Sequence, residues 1–118
     1  MRVGHTCDVR EVYRNSDVFV APIELGGGFR GKMLEALACG LPIVSTSLAA
    51  YGIHPVNGKG MFVTDGYGEF TEHVIRFLKD VQLRRRVGAR ARALGGRFDY
   101  KNAARRLHEV TQQYYPRR

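Results

Sequence analysis

No stretch of the chain approaches the roughly 20 consecutive apolar residues that a membrane-spanning helix needs. The opening residues, Met1-Arg2-Val3-Gly4-His5, lack the apolar core of a secretory signal. A cytoplasmic location is therefore expected. Cysteine is scarce. There are two, Cys7 and Cys39, and neither sits in a Cys-x-x-Cys pair or near a histidine at metal-ligand spacing. Cys39 falls in a strongly apolar helical stretch and reads as a small core residue. The histidines His5, His54, His73 and His108 are scattered, and no two stand four residues apart. No metal site is expected from such a pattern. Low-complexity tracts and internal repeats are absent. Acids are sparse in the last third, where only Asp80, Asp99 and Glu109 follow Lys79.

What is present fits one compact unit. A chain of 118 residues can build one core, not two. Its apolar fraction of 44% and aromatic fraction of 10% are ordinary for a globular protein. The formal net charge is +8, and most of the excess lies in the last third: Arg84, Arg85, Arg86, Arg90, Arg92, Arg97, Lys101, Arg105, Arg106, Arg117 and Arg118. A field of this kind attracts nucleic acid, phospholipid headgroups or phosphorylated substrates. A solvated, arginine-rich helix face is the plainer alternative.

The pattern of apolar residues predicts alternating elements. Asp8 can cap a short helix with Val9, Val12 and Tyr13 at helical spacing. Asp17-Val18-Phe19-Val20-Ala21, stopped by Pro22, reads as a buried parallel strand because both faces are apolar. Lys32 to Cys39 is a run of helix formers, with Gly40 at the position after the cap. Leu41-Pro42-Ile43-Val44-Ser45-Thr46 is a second strand, with proline at its start, where no ladder donor is lost. After a loop from Ser47 to Lys59, Gly60-Met61-Phe62-Val63 is a third strand. Three helices follow. The first, Glu69 to Lys79, points Phe70, Val74, Phe77 and Leu78 inward. The second is capped by Asp80 and carries Leu83, Val87, Ala91 and Leu94 on one face. The third is capped by Asp99 and carries Ala103, Leu107, Val110 and Tyr114. This order predicts an α/β fold, part of a Rossmann-like doubly wound parallel sheet with C-terminal helices. Three short strands leave a sheet edge uncovered. Val3-Gly4 resembles the tail of a finished strand. Residues 1–118 are thus expected to be a single domain or a fragment of a larger one, and self-association through the open edge or through apolar helix faces is expected.

The chemistry concentrates in Gly26-Gly27-Gly28-Phe29-Arg30-Gly31-Lys32-Met33-Leu34-Glu35. Glycines after a buried strand let backbone approach a ligand closely. The helix that follows aims unpaired amides and its positive dipole end at the same place. Together they form an anion site suited to phosphate. Arg30 and Lys32 add positive charge there. Glu35 lies one turn further in, where a carboxylate can accept hydrogen bonds from two neighbouring hydroxyls of a ribose. Glycines used only for tight turning, beside a surface glutamate, are the bland alternative. Gly26, Gly28 and Gly31 also fit G-x-G-x-x-G, but the dinucleotide fingerprint needs a carboxylate about 20 residues on. Ser45-Thr46-Ser47 stands there instead, which argues against NAD.

The runs Asp17 to Pro22, Gly26 to Ala36 and Cys39 to Val44 together resemble retaining glycosyltransferases of the GT-B fold, in the family 1/4-like group, with its pattern DVFVxP…GxGxKxKxLEAxAxGxPVV. Asp80 to Gly88 is similar to that family's DPELRRRLG, and Arg97-Phe98-Asp99-Tyr100 to its RFSW. The resemblance covers almost the whole chain. It implies the donor-binding C-terminal part of such an enzyme. Gly26, Gly27, Gly28, Phe29, Arg30, Lys32, Met33, Leu34 and Glu35 would then bind the nucleotide-sugar, with Glu35 on the ribose. The donor would be a UDP-, GDP- or ADP-sugar, without a cofactor or metal, and the acceptor a glycan, a lipid-linked intermediate or a small molecule. Much of the family has a glutamate eight residues before the ribose glutamate. Gly27 stands there in this chain, Glu24 is out of register, and no catalytic residue is carried over. The rival expectation is a non-catalytic basic module on an anionic membrane surface or nucleic acid. A peripheral place at the inner membrane face is compatible with either function. Nucleic acid is not expected, because no aromatic-interleaved platform or DNA-reading helix motif is present.

Overall fold

The structure is a computed structural model that describes residues 9–26, 30–53, 57–98 and 100–114. Three short strands, β1 (Phe19–Ala21), β2 (Ile43–Ser45) and β3 (Met61–Val63), form a parallel sheet in the order β1-β2-β3. The register brings Val20, Val44 and Phe62 into line. Strands this apolar are stable only when both faces are covered. Central β2 meets that condition, with all three residues fully buried.

Successive side chains on β2 point to opposite faces and join different clusters. Ile43 packs in a cluster with Met33 and Leu37 of helix α2 (Arg30–Ala38). Val44 packs with Phe77 of α3 (Tyr67–Lys79) and with Leu83 and Val87 of α4 (Val81–Gly96). Helices therefore lie on both faces of the sheet, as in part of a Rossmann-like domain. The short helix α1 (Val9–Arg14) precedes β1, and its Tyr13 ring packs against Phe19 at a centroid distance of 6.3 Å.

Helix α4 fixes the lower end of this arrangement. Asp80 caps it by accepting a hydrogen bond from the Leu83 amide at 2.9 Å. The helix then passes the turns that precede β2 and β3. A Cβ on Gly88 would stand 2.5 Å from the Gly40 carbonyl oxygen, so only glycine permits that approach. Gly40 has φ +74 and ends α2 in a Schellman motif. The Leu41 amide bonds the Ala36 carbonyl, and the Gly40 amide bonds that of Leu37.

Several boundaries differ from expectation. Helix α2 starts at Arg30, not Lys32, and so takes Gly31 into the helix. Helix α3 starts at Tyr67, not Glu69, because extended Gly66 ends the preceding loop there. Leu78, expected inward, is 54% exposed. The buried stripe follows Phe70, Val74 and Phe77, and a further step of about 100° turns Leu78 off it. The last helix, α5 (Tyr100–Tyr114), forms where predicted, but its apolar stripe is uncovered: Leu107, Val110 and Tyr114 are all more than half exposed. The expected caps Asp8 and Asp99, and Cys7, lie outside the described residues. Cys39 is half-buried against the core beside α2.

Candidate functional site at the C-terminal ends of the strands

All three strands end on the same side, and ligands of open parallel sheets bind in the crevice outside those carboxyl ends. Side chains just beyond the strands tie the three loops together there. The Thr46 hydroxyl, after β2, donates to the Ile23 carbonyl, after β1, at 2.6 Å. Asp65, after β3, accepts from the Ser47 amide at 2.9 Å and the Ser47 hydroxyl at 2.6 Å. These two bonds hold the Asp65 carboxyl below its ordinary range. The Thr64 hydroxyl donates to Glu69 at 2.8 Å, and the Tyr67 hydroxyl donates to Glu24. The loops frame a cavity of about 280 Å³, lined by residues that include Pro22, Glu24, Thr46, Thr64, Tyr67 and Phe70. That is near the lower end for small-molecule clefts.

Gly26 and the start of α2 stand at the same end, because α2 lies on the connection that leaves β1. Gly26 has φ +91, and the space where its Cβ would sit is open. Gly27, Gly28 and Phe29 lie outside the described residues. Arg30 is the first residue of α2, so the amides at this helix start have no partner within the helix. A Cβ on Gly31 would also meet open space, and Lys32 is exposed. Met33 is fully buried, and Leu34 is half-buried against the same cluster. Their side chains pack in the core beneath the helix start. Glu35 is exposed. Its Oε2 accepts a hydrogen bond from the Tyr13 hydroxyl at 2.9 Å. Burial, then the bond to Glu35 and its charge, push the Tyr13 phenol up to about 12. Tyr13 therefore stays a donor at neutral pH.

The candidate site thus has two parts, a cavity at the strand ends and a helix start with an exposed carboxylate on α2. A profile of the glycosyl transferases, group 1, matches residues 2–80, which include the three strands, the glycine loop, α2 and α3. The chain belongs to the group 1 glycosyl transferases. It is similar to a D-inositol 3-phosphate glycosyltransferase of Corynebacterium jeikeium (strain K411), with 28% identity over 107 residues. The match covers 89% of this chain and 25% of the relative, so the chain spans about a quarter of that curated protein's length.

In this group 1 glycosyl transferase chain, α2 and the strand-end loops are held by residues that the sequence pattern did not mark, and Tyr13 and Glu35 stand outside the cavity lining. Tyr13 reads as one more apolar position of α1, yet it partners Glu35. A tyrosine on a core stripe calls for a hydrogen-bond acceptor, but nothing local says which. The run Ser45-Thr46-Ser47 was notable only for lacking a carboxylate. Its hydroxyls have three different fates. Thr46 holds the β1 loop, Ser47 holds Asp65, and Ser45 Oγ is buried without a partner among the described residues. Among the described residues no three His, Cys, Asp or Glu side chains gather in a way that could hold a metal ion. No helix among them is long and apolar enough to cross a membrane.

Proposed function

We propose that the chain is the donor-binding part of a glycosyl transferase, taking the diphosphate of a nucleotide-sugar at the glycine loop and α2 start and its ribose at Glu35. The observation that carries this is the position of Glu35. It is exposed, one turn into the helix that begins at the carboxyl end of β1. A phosphate docked at the start of that helix leaves a ribose within reach of its carboxylate. Lys32, exposed in the same turn, adds to the positive field. The relative's name refers to D-inositol 3-phosphate, so a small phosphorylated polyol joins a glycan or a lipid-linked intermediate among the acceptor classes. Titration with UDP, GDP and ADP, and separately with a DNA duplex, tests this. Saturable binding of one nucleotide without duplex binding is expected, and duplex binding alone would refute it.

One observation favours a second function beside the first. Helix α5 exposes Leu107, Val110 and Tyr114 on one side, with Arg105 and Arg106 in the same helix. Apolar and basic residues combined in this way suit a helix lying on an anionic membrane surface.

A further inference from the structure

We infer that Tyr13 is a positioning residue for Glu35, holding its carboxylate in one orientation for the donor ribose; this rests on the donor-site function proposed above. Three observations lead to it. The Tyr13 ring is set in the core, 8% exposed and tilted against Phe19. Its hydroxyl comes through to the surface at Glu35, 22 residues later in the chain, and donates to Oε2 at 2.9 Å. The next acceptor, the Lys32 carbonyl, is 3.5 Å away, at the limit of a hydrogen bond. The phenol thus commits to the carboxylate.

The chemical consequence concerns order. An exposed glutamate on a helix samples several rotamers and loses that freedom when it grips a ligand. A buried, immobile phenol bound to one oxygen removes much of the freedom beforehand, which lowers the cost of binding. It occupies one lone pair of Oε2. Oε1 and the second lone pair of Oε2 remain free to accept from two neighbouring hydroxyls. Tyr13 touches no ligand in this arrangement and acts only through Glu35.

The test uses the full chain and Tyr13→Phe, with calorimetric titration by UDP, GDP and ADP and by their 2′,3′-dideoxy forms. Binding of the ribonucleotide by Tyr13→Phe should weaken by roughly three- to tenfold. Binding of the dideoxy form should not change. A variant that binds the ribonucleotide like the parent would overturn the role of Tyr13 and leave the donor site standing. An equal loss on both ligands would also overturn it, since a purely structural contribution does not sense the ribose. A parent that cannot distinguish the two ligands would remove the donor-site function, and the positioning role with it. A second measurement covers a Tyr13→Phe chain that fails to fold. In an alkaline absorbance titration, one of the six tyrosines should ionise near 12 in the parent and lower in Glu35→Gln. The same curve for both proteins would overturn the contact itself.

Discussion

At the scale of single residues, Glu35 carries the sharpest expectation. A hydrogen bond to a charged group contributes about 1.5–3 kcal/mol, and about 1.4 kcal/mol is a decade in affinity. Glu35→Ala should therefore weaken nucleoside diphosphate binding by roughly tenfold or more. Glu35→Gln should lose less, because an amide oxygen still accepts a bond. A glutamate that merely faced the helix dipole would give a small stability change and no change in affinity. Calorimetry on folded Glu35→Ala separates these outcomes. The place of Glu35, exposed on α2, was legible in the sequence because it depends on local spacing beyond glycines that follow a strand. Tyr13 was not. Its partner lies 22 residues away, and no rule of spacing links a tyrosine on one helix to a carboxylate on another. The same holds for Ser47 and Asp65, which meet only because parallel strands bring their loops to one end. Met33 and Leu34 show the opposite limit. A motif match names them with the site, while their helical positions place both side chains against the core.

At the scale of elements, periodicity revealed the helices and strands, and packing set their limits. The core faces of α4 were readable from Leu83, Val87, Ala91 and Leu94, all of which are buried. The reason for Gly88 on the same helix was not, because it depends on a turn 48 positions earlier in the chain being pressed against it. With a Cβ only 2.5 Å from the Gly40 oxygen, Gly88→Ala must push α4 off the turn before β2. Overpacking of this kind costs about 1–3 kcal/mol. The melting temperature should fall by roughly 4–8 °C for each kcal/mol in a domain near this size, measured by thermal unfolding. An unchanged melting temperature would mean that α4 does not sit so close. Helix α5 shows a different limit. Its stripe was correctly read as apolar, but a periodic stripe predicts only that something should cover it, and no described element of the chain does. If anionic lipid covers it, the protein should sediment with vesicles of acidic phospholipid at low ionic strength. Each basic residue near such a surface contributes about 1 kcal/mol, and salt screens it. Leu107→Asp should weaken that binding. Binding unaffected by either salt or the substitution would exclude a role for α5.

At the scale of the whole molecule, the donor-site proposal makes the three-stranded sheet one wall of a cleft. Its carboxyl ends frame the cavity between Pro22, Thr46 and Tyr67, and Glu35 stands on α2 beside Tyr13, outside that lining. The described residues form this one sheet and its helices, with no second sheet among them. The chain spans about a quarter of the curated relative it matches. Sugar transfer needs an acceptor hydroxyl held against the anomeric carbon of the donor, with water kept out. Well-oriented alignment of reactants contributes about 7–11 kcal/mol to lowering a barrier of this kind. A single wall can bind the donor and still supply little of that, since uniform binding of substrate lowers no barrier. The expected outcome is a division between binding and turnover. The purified 118-residue chain should bind a nucleoside diphosphate in calorimetry, yet release or transfer no labelled sugar from the matching nucleotide-sugar to a glycan, a lipid-linked acceptor or an inositol phosphate. Glu35→Ala supplies the control, because it should weaken binding roughly tenfold or more without altering the blank transfer rate. Transfer by the wild-type chain above that blank would show that one wall suffices, and that the aligning groups lie within these residues.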